Sequence, residues 1–371
     1  MQLVERRVIK RGDSRFRLID RAAFASKTLY NAAHYLVRQS FISEGVYLNY
    51  HEIDLRMQGH EAYKALPAKV AQWVLRLLEK NWQSYFATMA AWQADPSKFL
   101  GHPKLPGYKD KQKGRNLLVY TIPALSVPAL RHGLICPSML GITVRTKQQN
   151  IQQARIVPRQ GFYVVEVIYE RAVVPAAVNP ALHAGVDIGL NALAEAIEAK
   201  AGFIPRIVNS RQLKSLSQFY NKRRAELPSQ LEEAHTSRRL EQMTTKRTRR
   251  IDHYLHTTSR RIIELLVTEG IGTLVIGQNP LWKQEANLGK RNNQNFVSVP
   301  HARFIEMLTY KAALVGIQVK ITEESYTSKA SFLDTDPLPA FDPAQPAPTF
   351  SGKRVKRGLY RAADGTPSMR M

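Results

Sequence analysis

An aspartate inside an apolar strand pattern is the residue of this sequence with the clearest chemical potential. Asp187 stands in the stretch Gly185–Leu190, where Val186 and Ile188 flank a single carboxylate. An unpaired carboxylate is costly to bury in such a strand, so it needs a cation or a polar partner. The glycines at 185 and 189 leave room for a phosphate backbone to approach. Asp187 is therefore a candidate Mg²⁺ ligand, although an aspartate that only caps a strand end would give the same pattern.

Two adjacent glutamates, Glu323 and Glu324, are the next candidates, because they directly follow a predicted strand over Ile317–Thr322. We expect this strand to lie beside the short apolar strand that ends at Gly277. Phosphodiester cleavage with two metal ions needs several carboxylates, since hard cations prefer oxygen ligands and the two ions lie about 4 Å apart. Either glutamate could join Asp187 at one site, and the sequence leaves both open.

The elements that would position these carboxylates follow an α/β pattern, in which apolar runs of strand length alternate with helical periodicity. In an RNase H-like fold, three antiparallel strands, a helix and two further strands place the first and fourth strands side by side at the centre. Acids at the ends of these two strands can then converge. The predicted elements are strands at His183–Gly189, Ala192–Glu198 and Phe203–Val208, a polar helical stretch from Arg211 to about Gly270, a strand at Gly272–Gly277, a helix from about Pro300 to Val315 and the strand Ile317–Thr322.

The charge balance points to a polyanionic partner. The 371 residues include 54 Lys and Arg against 30 Asp and Glu, which gives a formal net charge of +24. Phosphate contacts by Lys and Arg release counterions and supply most of the affinity of proteins for DNA and RNA. A protein of the membrane surface or of the ribosome is the alternative. Residues 211–261 hold thirteen Lys and Arg but five Asp and Glu, and we predict phosphate contacts by Lys222, Arg223, Arg224, Arg238, Arg239, Lys246, Arg247, Arg249 and Arg250, with Lys353, Arg354, Lys356 and Arg357 as a weaker group.

The single cysteine, the charged N-terminus and the lack of a long apolar stretch argue against several classes of protein. Cys136 is the single cysteine, so no disulfide and no cysteine-based zinc site can form within the chain. The charged N-terminus lacks the apolar core of a signal peptide, and no stretch of 18 apolar residues is present. We therefore expect a cytoplasmic protein of a prokaryotic cell, associated with the nucleoid and not with a membrane.

The N-terminal half predicts an α+β arrangement of its own. Residues 1–20 are expected to form one or two strands, residues 21–95 helices that end at Asp95-Pro96, and residues 116–174 a small β-barrel or sheet. Between them, the basic segment Gly101–Arg115 is punctuated by Gly and Pro. It could be a groove that tracks a phosphate backbone or an ordinary solvated linker.

Several motifs of the C-terminal half together resemble the TnpB family, the transposon-encoded RNA-guided DNA nucleases related to the ancestors of type V CRISPR effectors. The matching motifs follow one another closely from residue 183 to about residue 366. The N-terminal half agrees with the family only in the order of its predicted elements, a short strand, a helical lobe and a β-barrel. The motifs that carry it are Gly185–Leu190, Leu274–Gln284, Leu288–Phe296, Pro300–Lys311, Thr322–Lys329 and Gly352–Tyr360.

The resemblance implies an α+β multidomain protein that binds a guide RNA and a double-stranded DNA target with a short adjacent motif. Residues 1–20 would be the first strands of a wedge-like β-barrel domain, residues 21–98 a helical recognition lobe, and residues 99–178 the rest of the barrel. Residues 179–371 would be an RNase H-like RuvC domain, truncated at its C-terminus, with Mg²⁺ as cofactor if active. The segment Trp282–Phe296 would be a mobile loop across the mouth of the site.

Three departures from the family pattern concern its metal sites. Gln278 occupies the position of the second catalytic acid, and a neutral amide is a poor Mg²⁺ ligand. The third family acid lies downstream of the stretch that matches Arg361–Gly365, where this sequence continues only as Thr366–Met371; Asp364 is not its counterpart. The cysteine that often begins a zinc-binding insert is replaced by Ala330, so no zinc is expected.

These departures favour an RNA-guided DNA-binding protein that has lost cleavage or retains little of it. The first alternative is an active Mg²⁺-dependent endonuclease that uses Asp187 with Glu323 or Glu324. The second is an inactive transposon remnant, which would bind no discrete RNA.

Overall fold

Two compact units make up the protein, Met1–Arg171 and Ala172–Met371. The computed structural model describes residues 1–189, 192–198, 206–227, 237–279, 289, 297–327, 329–331, 333–342, 345–346, 348–356 and 359–369, with the backbone alone at 192–198, 206, 356, 368 and 369. Within that part of the chain, no helix combines the length and the apolar character needed to cross a bilayer.

The first unit combines a four-stranded antiparallel sheet with helices. The sheet has the order β1-β6-β5-β2, so the first strand of the chain pairs with a strand that lies some 160 residues later. The strands are β1 (Gln2–Lys10), β2 (Leu118–Thr121), β5 (Ile151–Arg159) and β6 (Phe162–Glu170), and a separate two-stranded ribbon consists of β3 (Leu134–Ile135) and β4 (Val144–Arg145). The helices are α1 (Phe16–Gln39), α2 (Tyr50–Met57), α3 (Glu61–Lys64), α4 (Ala68–Ala94) and α5 (Val127–Arg131).

The predicted β-barrel is an open sheet in the described part of this unit. β2 pairs with β5 alone, and β1 pairs with β6 alone, so the two edge strands do not meet. β1 presents every second side chain to solvent, with Val4 and Val8 each 42% exposed. The prediction of strands as far as residue 20 is also wrong, because α1 already begins at Phe16. The turn that precedes it is fixed by Asp13, whose carboxylate accepts hydrogen bonds from the backbone and the guanidinium of Arg15.

The core of the first unit is centred on the long helix α4. Its buried residues recur at helical spacing from Val70 to Trp82, so one face of the helix packs inward. Trp82 is fully buried, and its indole N–H donates to Nδ1 of His34 at 3.3 Å. Asp95 ends α4 as predicted, and its side chain accepts a hydrogen bond from the backbone of Ser97.

The second unit is built on a five-stranded mixed sheet with the order β11-β10-β7-β8-β9. Its strands are β7 (Asn179–Asp187), β8 (Ala192–Glu198), β9 (Arg206–Asn209), β10 (Ile271–Gly277) and β11 (Gln318–Thr322), and its helices are α6 (Arg211–Glu226), α7 (Arg238–Thr268) and α8 (His301–Leu314). β7, β8 and β9 are antiparallel, whereas β10 runs parallel to β7 and β11 parallel to β10. The predicted strand order is confirmed, with the first and fourth strands adjacent at the centre.

The hydrophobic pattern explains why the helices lie against this sheet. α7 buries a stripe that includes Ile251, Leu255, Ile262 and Leu266, at intervals of three, four and seven residues. The central strand β10 is buried along most of its length and packs against α7. A strand that is covered on both faces is mostly apolar, and in the run from Ile271 to Ile276 the one polar side chain, Thr273, donates its hydroxyl to the carbonyl of Pro180 at 2.8 Å.

The end of the described chain contains elements that the sequence did not predict. Three short strands, β12 (Lys353–Lys356), β13 (Leu359–Arg361) and β14 (Pro367–Met369), form an antiparallel sheet. Tyr360 is buried there, and its hydroxyl donates to the carbonyl of Lys329 at 2.7 Å. Between Asp334 and Phe350, the described residues contain no helix or strand, as predicted for the Pro-rich tail.

Candidate active site

Three parallel strands bring the candidate acids to one edge of the sheet. Asp187 is the last residue of β7, and Gly277 and Thr322 are the last residues of β10 and β11. Gly277 is the register partner of Thr322, and Ile276 is the partner of Val186. Because the carboxyl ends of parallel strands meet at the same edge, the residues that follow them converge.

Asp187 is turned away from the core by the alternation of its strand. Its neighbours Val186 and Ile188 are each 2% exposed and belong to the hydrophobic core, whereas Asp187 is exposed. Its backbone lies opposite Glu195 of β8, so the strand is held on both sides while the carboxylate extends from its end. The predicted role of an acid borne by the central strand is compatible with this position.

Glu324 reaches across to the neighbouring strand and covers Gly277. A methyl group at Gly277 would lie 1.6 Å from Oε1 of Glu324 and 2.3 Å from its Cγ, so the space that a side chain would need is filled by the glutamate. The backbone N–H of Glu324 donates to Oδ1 of Asn279 at 2.7 Å. Asn279 therefore fixes the start of the segment, and the glycine admits the carboxylate to the edge of the central strands.

Electrostatics link Glu324 to Asp187. Burial and, to a smaller extent, the negative charge of Asp187 together raise the pKa of the Glu324 carboxyl to about 7. Both effects penalise the charged form of Glu324, because a buried carboxylate loses hydration and two like charges repel. The two acids thus lie close enough to interact, which the sequence alone did not establish.

Glu323 points elsewhere. Its carboxylate accepts hydrogen bonds from the hydroxyl of Ser325 and from the backbone N–H of Phe341, the latter at 3.3 Å. Its side chain is exposed, unlike the half-buried Glu324. Of the two glutamates that the sequence left open, Glu324 is the one that interacts with Asp187.

Gln278 continues the hydrogen-bond ladder beyond the end of β10. Its backbone N–H donates to the carbonyl of Thr322 at 2.8 Å, and its side chain is half-buried. It supplies no charge at the position that the resemblance assigns to an acid. The sequence analysis did not identify Gly277 and Asn279 as determinants of the site. A glycine at the end of an apolar strand could have indicated Gly277, because it leaves room for a side chain from a neighbouring strand.

The donor set fits a hard divalent cation. Carboxylate oxygens are the ligands that Mg²⁺ prefers, and a cation beside Asp187 and Glu324 would offset the burial cost and the repulsion that raise the pKa of Glu324. Among the residues that the structure describes, no group of three or more His, Cys, Asp or Glu could hold a metal ion. Asp187 and Glu324 would thus leave most of the coordination shell to water and substrate oxygens.

The predicted phosphate-binding residues of α6 and α7 fall into two structural groups. Arg247 is half-buried and donates to Oγ of Ser217 at 3.1 Å and to the carbonyl of Ser298 at 3.3 Å, and its guanidinium lies 5.1 Å from the ring centre of Tyr220. It holds α6 against α7. Exposed side chains, by contrast, belong to Lys222, Arg223, Arg224, Arg238, Arg239, Lys246, Arg249 and Arg250.

The remaining predicted residues are only partly described. Lys353 and Arg354 lie exposed in β12, where Lys356 is described by its backbone alone. Arg357 and the proposed loop Trp282–Phe296, apart from Gly289, lie outside the described residues.

The basic segment Gly101–Arg115 of the first unit lies along α1. Asn31 both donates to and accepts from the backbone of Lys109, at 2.8 and 2.9 Å, and Nζ of Lys27 donates to the carbonyl of Lys111 at 2.8 Å. These side-chain contacts fix the segment on the helix, so it is not the freely solvated linker that was one of its two interpretations.

Comparisons with known proteins indicate which family this chain resembles. Residues 162–282 match the model of the OrfB_IS605 family, described as a probable transposase. The resemblance to the TnpB family is confirmed. The matched range begins with β6 and includes Asp187 and Gln278, but it ends before Glu324. No curated protein gives a significant match.

Solved structures support the fold. A cryo-EM structure of a Cas12f1–sgRNA–target DNA complex matches with a TM-score of 0.51 and 12% identity, over 85% of this chain and 73% of that chain. A cryo-EM structure of a CRISPR-Cas12f ternary complex matches at 11% identity over 85% of this chain and 72% of that chain, with a TM-score of 0.34, which is too low to support an argument. The mixed α/β fold is therefore similar to that of Cas12f1.

Two glycines of β10 allow the acidic site to be tested separately from the fold. Gly277→Ala should leave the fold intact, because the three atoms nearest to its methyl group all belong to the flexible side chain of Glu324, which can move away. The moved carboxylate should lower Mn²⁺ affinity about 10- to 100-fold, measured by isothermal titration calorimetry. Gly272→Ala is the contrasting variant, because its methyl group would lie 2.5 Å from the backbone of Asn179.

Gly272→Ala should therefore lower the free energy of unfolding by about 1–3 kcal/mol. Gly59→Ala, which meets nothing within 4 Å, is the neutral control. Unchanged Mn²⁺ affinity in a folded Gly277→Ala protein would contradict the placement of Glu324.

The two groups of cations on α7 should respond differently to substitution. Arg250→Gln removes an exposed charge and should weaken DNA binding, with the slope of log Kd against log salt concentration reduced by about one. Arg247→Gln removes contacts within the protein and should lower the melting temperature instead. Binding titrations at several NaCl concentrations, together with thermal unfolding, check both; an unchanged salt slope for Arg250→Gln would exclude that residue from the interface.

Proposed function

We propose that this chain is an RNA-guided DNA-binding protein with a RuvC-type, Mg²⁺-dependent nuclease site formed by Asp187 and Glu324. The observation that carries the proposal is the carboxylate of Glu324 over Gly277, half-buried and close enough to Asp187 to interact with its charge. The family match and the Cas12f1-like fold support the same class of protein.

In this proposal the second unit is the RuvC domain and contains the nuclease site. The helices of the first unit serve as the recognition lobe, and its open sheet serves as the wedge-like domain. The partners are a guide RNA and a double-stranded DNA target with a short adjacent motif. The exposed Lys and Arg of α6 and α7 contact the phosphates of these nucleic acids.

The roles of the individual residues follow from their geometry. Asp187 and Glu324 hold the divalent cation, and Asn279 orients Glu324 through its backbone. When bound, Mg²⁺ lowers the pKa of an attacking water and stabilises the charge on the leaving oxygen. The apolar residues on either side of Asp187 keep its strand in the core, so that the carboxylate stays fixed at the edge of the sheet.

A second candidate function is guided DNA binding without cleavage, with occupancy of the target as the outcome. Gln278 favours it, because a neutral side chain stands where the family has an acid. Asp187 and Glu324 then form a site with too few protein ligands to support two metal ions.

Cleavage by the purified complex should separate these two functions. We expect the complex with its RNA to cut a matched DNA target in Mg²⁺, and Asp187→Ala and Glu324→Gln each to lower the rate at least about 100-fold while DNA affinity is kept. Glu306→Gln, an exposed residue of α8, is the matched control and should cut normally. Glu323→Gln should cause a far smaller loss than Glu324→Gln, since an amide oxygen can still accept the N–H of Phe341.

The same preparation tests the RNA-guided part of the proposal. Sequencing of the copurified nucleic acid should identify one discrete RNA, and its sequence then defines the target. A protein that binds the matched DNA but does not cut it would support the second candidate. A protein that copurifies with no discrete RNA would contradict both and favour a transposon remnant.

A further inference from the structure

Lys311, on the last turn of α8, is a half-buried lysine that the proposed nuclease does not use. Its Nζ donates to the carbonyl of His256 at 2.6 Å and to Oγ of Ser259 at 2.7 Å, both on α7. The hydroxyl of Ser259 itself donates to the carbonyl of Leu255 at 2.7 Å, so it can only accept from Lys311. A neutral amine has two N–H bonds, and these two acceptors would use both and leave its lone pair free.

An open cavity of about 530 Å³ gives access to this amine. Its size falls within the range of roughly 300–1,000 Å³ that is usual for sites of small molecules. The lining consists of side chains from α7 together with Lys311 of α8, namely His256, Thr257, Arg260, Arg261, Glu264 and Lys311. We call this space the lysine cavity.

The lysine cavity lies away from the acidic site. α8 ends at Leu314, shortly after Lys311, and β11 begins at Gln318. Glu324 follows the other end of β11. Lys311 therefore lies near the edge of the sheet at which β11 begins, whereas the acids lie at the edge at which it ends.

The surroundings of Lys311 favour its neutral form. Burial and, to a smaller extent, the positive charge of Arg260 lower the pKa of Lys311 to about 8, against the opposing charge of Glu264. The other titratable groups of the described chain that face it are His256, Arg261 and Tyr310, whose ring centre lies 5.9 Å from Nζ. At pH 7.5, about a quarter of amines with such a pKa are neutral, against about 0.1% for an ordinary lysine.

We propose that Lys311 is a modification site, at which a small acyl phosphate that enters the lysine cavity acylates Nζ. The lone pair of Nζ attacks the acyl carbon, so that a C–N bond forms and the C–O bond to the phosphate breaks. The departing phosphate takes the electron pair of that bond and one proton from Nζ. The products are an amide and hydrogen phosphate.

The charges of the lysine cavity favour an anionic donor. Arg260 and Arg261 are exposed, and guanidinium groups bind phosphate oxygens well. Arg260 also pairs with Glu264 at 2.6 Å, which leaves Arg261 as the better candidate for the phosphate. A desolvated lysine beside another cation is a known form of activated amine nucleophile. Since the amine is half-buried below exposed cations, a small donor can reach it more easily than a polymer can.

Acylation would change the contact between the two helices. An amide nitrogen keeps a single N–H, so it can donate to His256 or to Ser259 but not to both. The positive charge is lost as well. The modification therefore weakens the attachment of α8 to α7.

The test uses the full chain with its copurified RNA, incubated with acetyl phosphate at pH 7.5. The acetylation rate of each lysine is measured by mass spectrometry of its peptides, with Lys320, an exposed residue of β11, as the internal reference. We expect Lys311 to react about 10-fold faster, because its larger neutral fraction outweighs the weaker nucleophilicity of a less basic amine. The rate at Lys311 should rise with pH and level off above about pH 8, a plateau that an ordinary lysine reaches only above pH 10.

Two comparisons separate the binding of the donor from the reactivity of the amine. Arg261→Gln should slow the reaction of Lys311 with acetyl phosphate several-fold and leave its reaction with a neutral acetyl N-hydroxysuccinimide ester unchanged. Inorganic phosphate should compete in the same selective way. Glu264→Gln should speed the reaction with both donors, since the charge of Glu264 favours the protonated amine. Glu306→Gln, an exposed residue of α8, is the matched control and should change neither rate.

Thermal unfolding checks the structural consequence. Acetylated protein should melt about 2–4 °C below untreated protein, as expected for the loss of one hydrogen bond. Lys311→Arg, which cannot be acylated at this position, should show no such difference after the same treatment.

The proposal is contradicted if Lys311 reacts no faster than Lys320 with acetyl phosphate. A rate at Lys311 that neither Arg261→Gln nor phosphate lowers would overturn the anionic donor. Reaction of Lys311 only after digestion of the RNA would assign the lysine cavity to nucleic acid instead. None of these measurements depends on target cutting, so this proposal and the nuclease function can fail separately.

Discussion

The burial of Glu324 beside a second carboxylate, at one edge of the five-stranded sheet, is the constraint on which the site depends. Burial penalises the charged form of Glu324, and the negative charge of Asp187 adds to that penalty, so the pKa of Glu324 rises to about 7. A fold keeps such a pair only where the surrounding structure fixes both groups. Here β7 is held between β8 and β10, and Asn279 binds the backbone of Glu324. A divalent cation would turn this penalty into a favourable interaction with both acids.

The parallel arrangement of β7, β10 and β11 makes this convergence possible. Adjacent strands lie about 4.8 Å apart, so a residue that follows β11 is one strand farther from Asp187 than a residue that follows β10. Glu324 covers that distance by lying across the end of β10. Only a glycine at position 277 permits this, since any larger residue would occupy the space of the glutamate side chain. Gly277 and Glu324 therefore act as a unit, and neither position can be interpreted without the other.

The sequence predicted the C-terminal sheet well because its signals are local. Apolar runs bounded by turns gave β8 and β10 almost residue for residue, and the strand order followed from the sequence of elements. Closure of the first sheet could not be predicted in the same way, because it depends on whether β1 and β2 meet, and their separation along the chain is large. The choice between Glu323 and Glu324 was also inaccessible, since two consecutive residues differ only in the direction of their side chains. That direction depends on the room beside Gly277, a residue far from Glu324 in the sequence.

The structure changes how far the neutral Gln278 argues against catalysis. A missing acid at the end of β10 argues against catalysis only if no other carboxylate can occupy the same space. Glu324 reaches the end of β10 from β11 and fills the space beside Gly277, and the backbone N–H of Gln278 bonds to Thr322, two residues before the glutamate. An acid directly after β10 would bring a third negative charge toward a pair that already disfavours the ionised form of Glu324. The amide at position 278 is thus compatible with an acid supplied by the neighbouring strand.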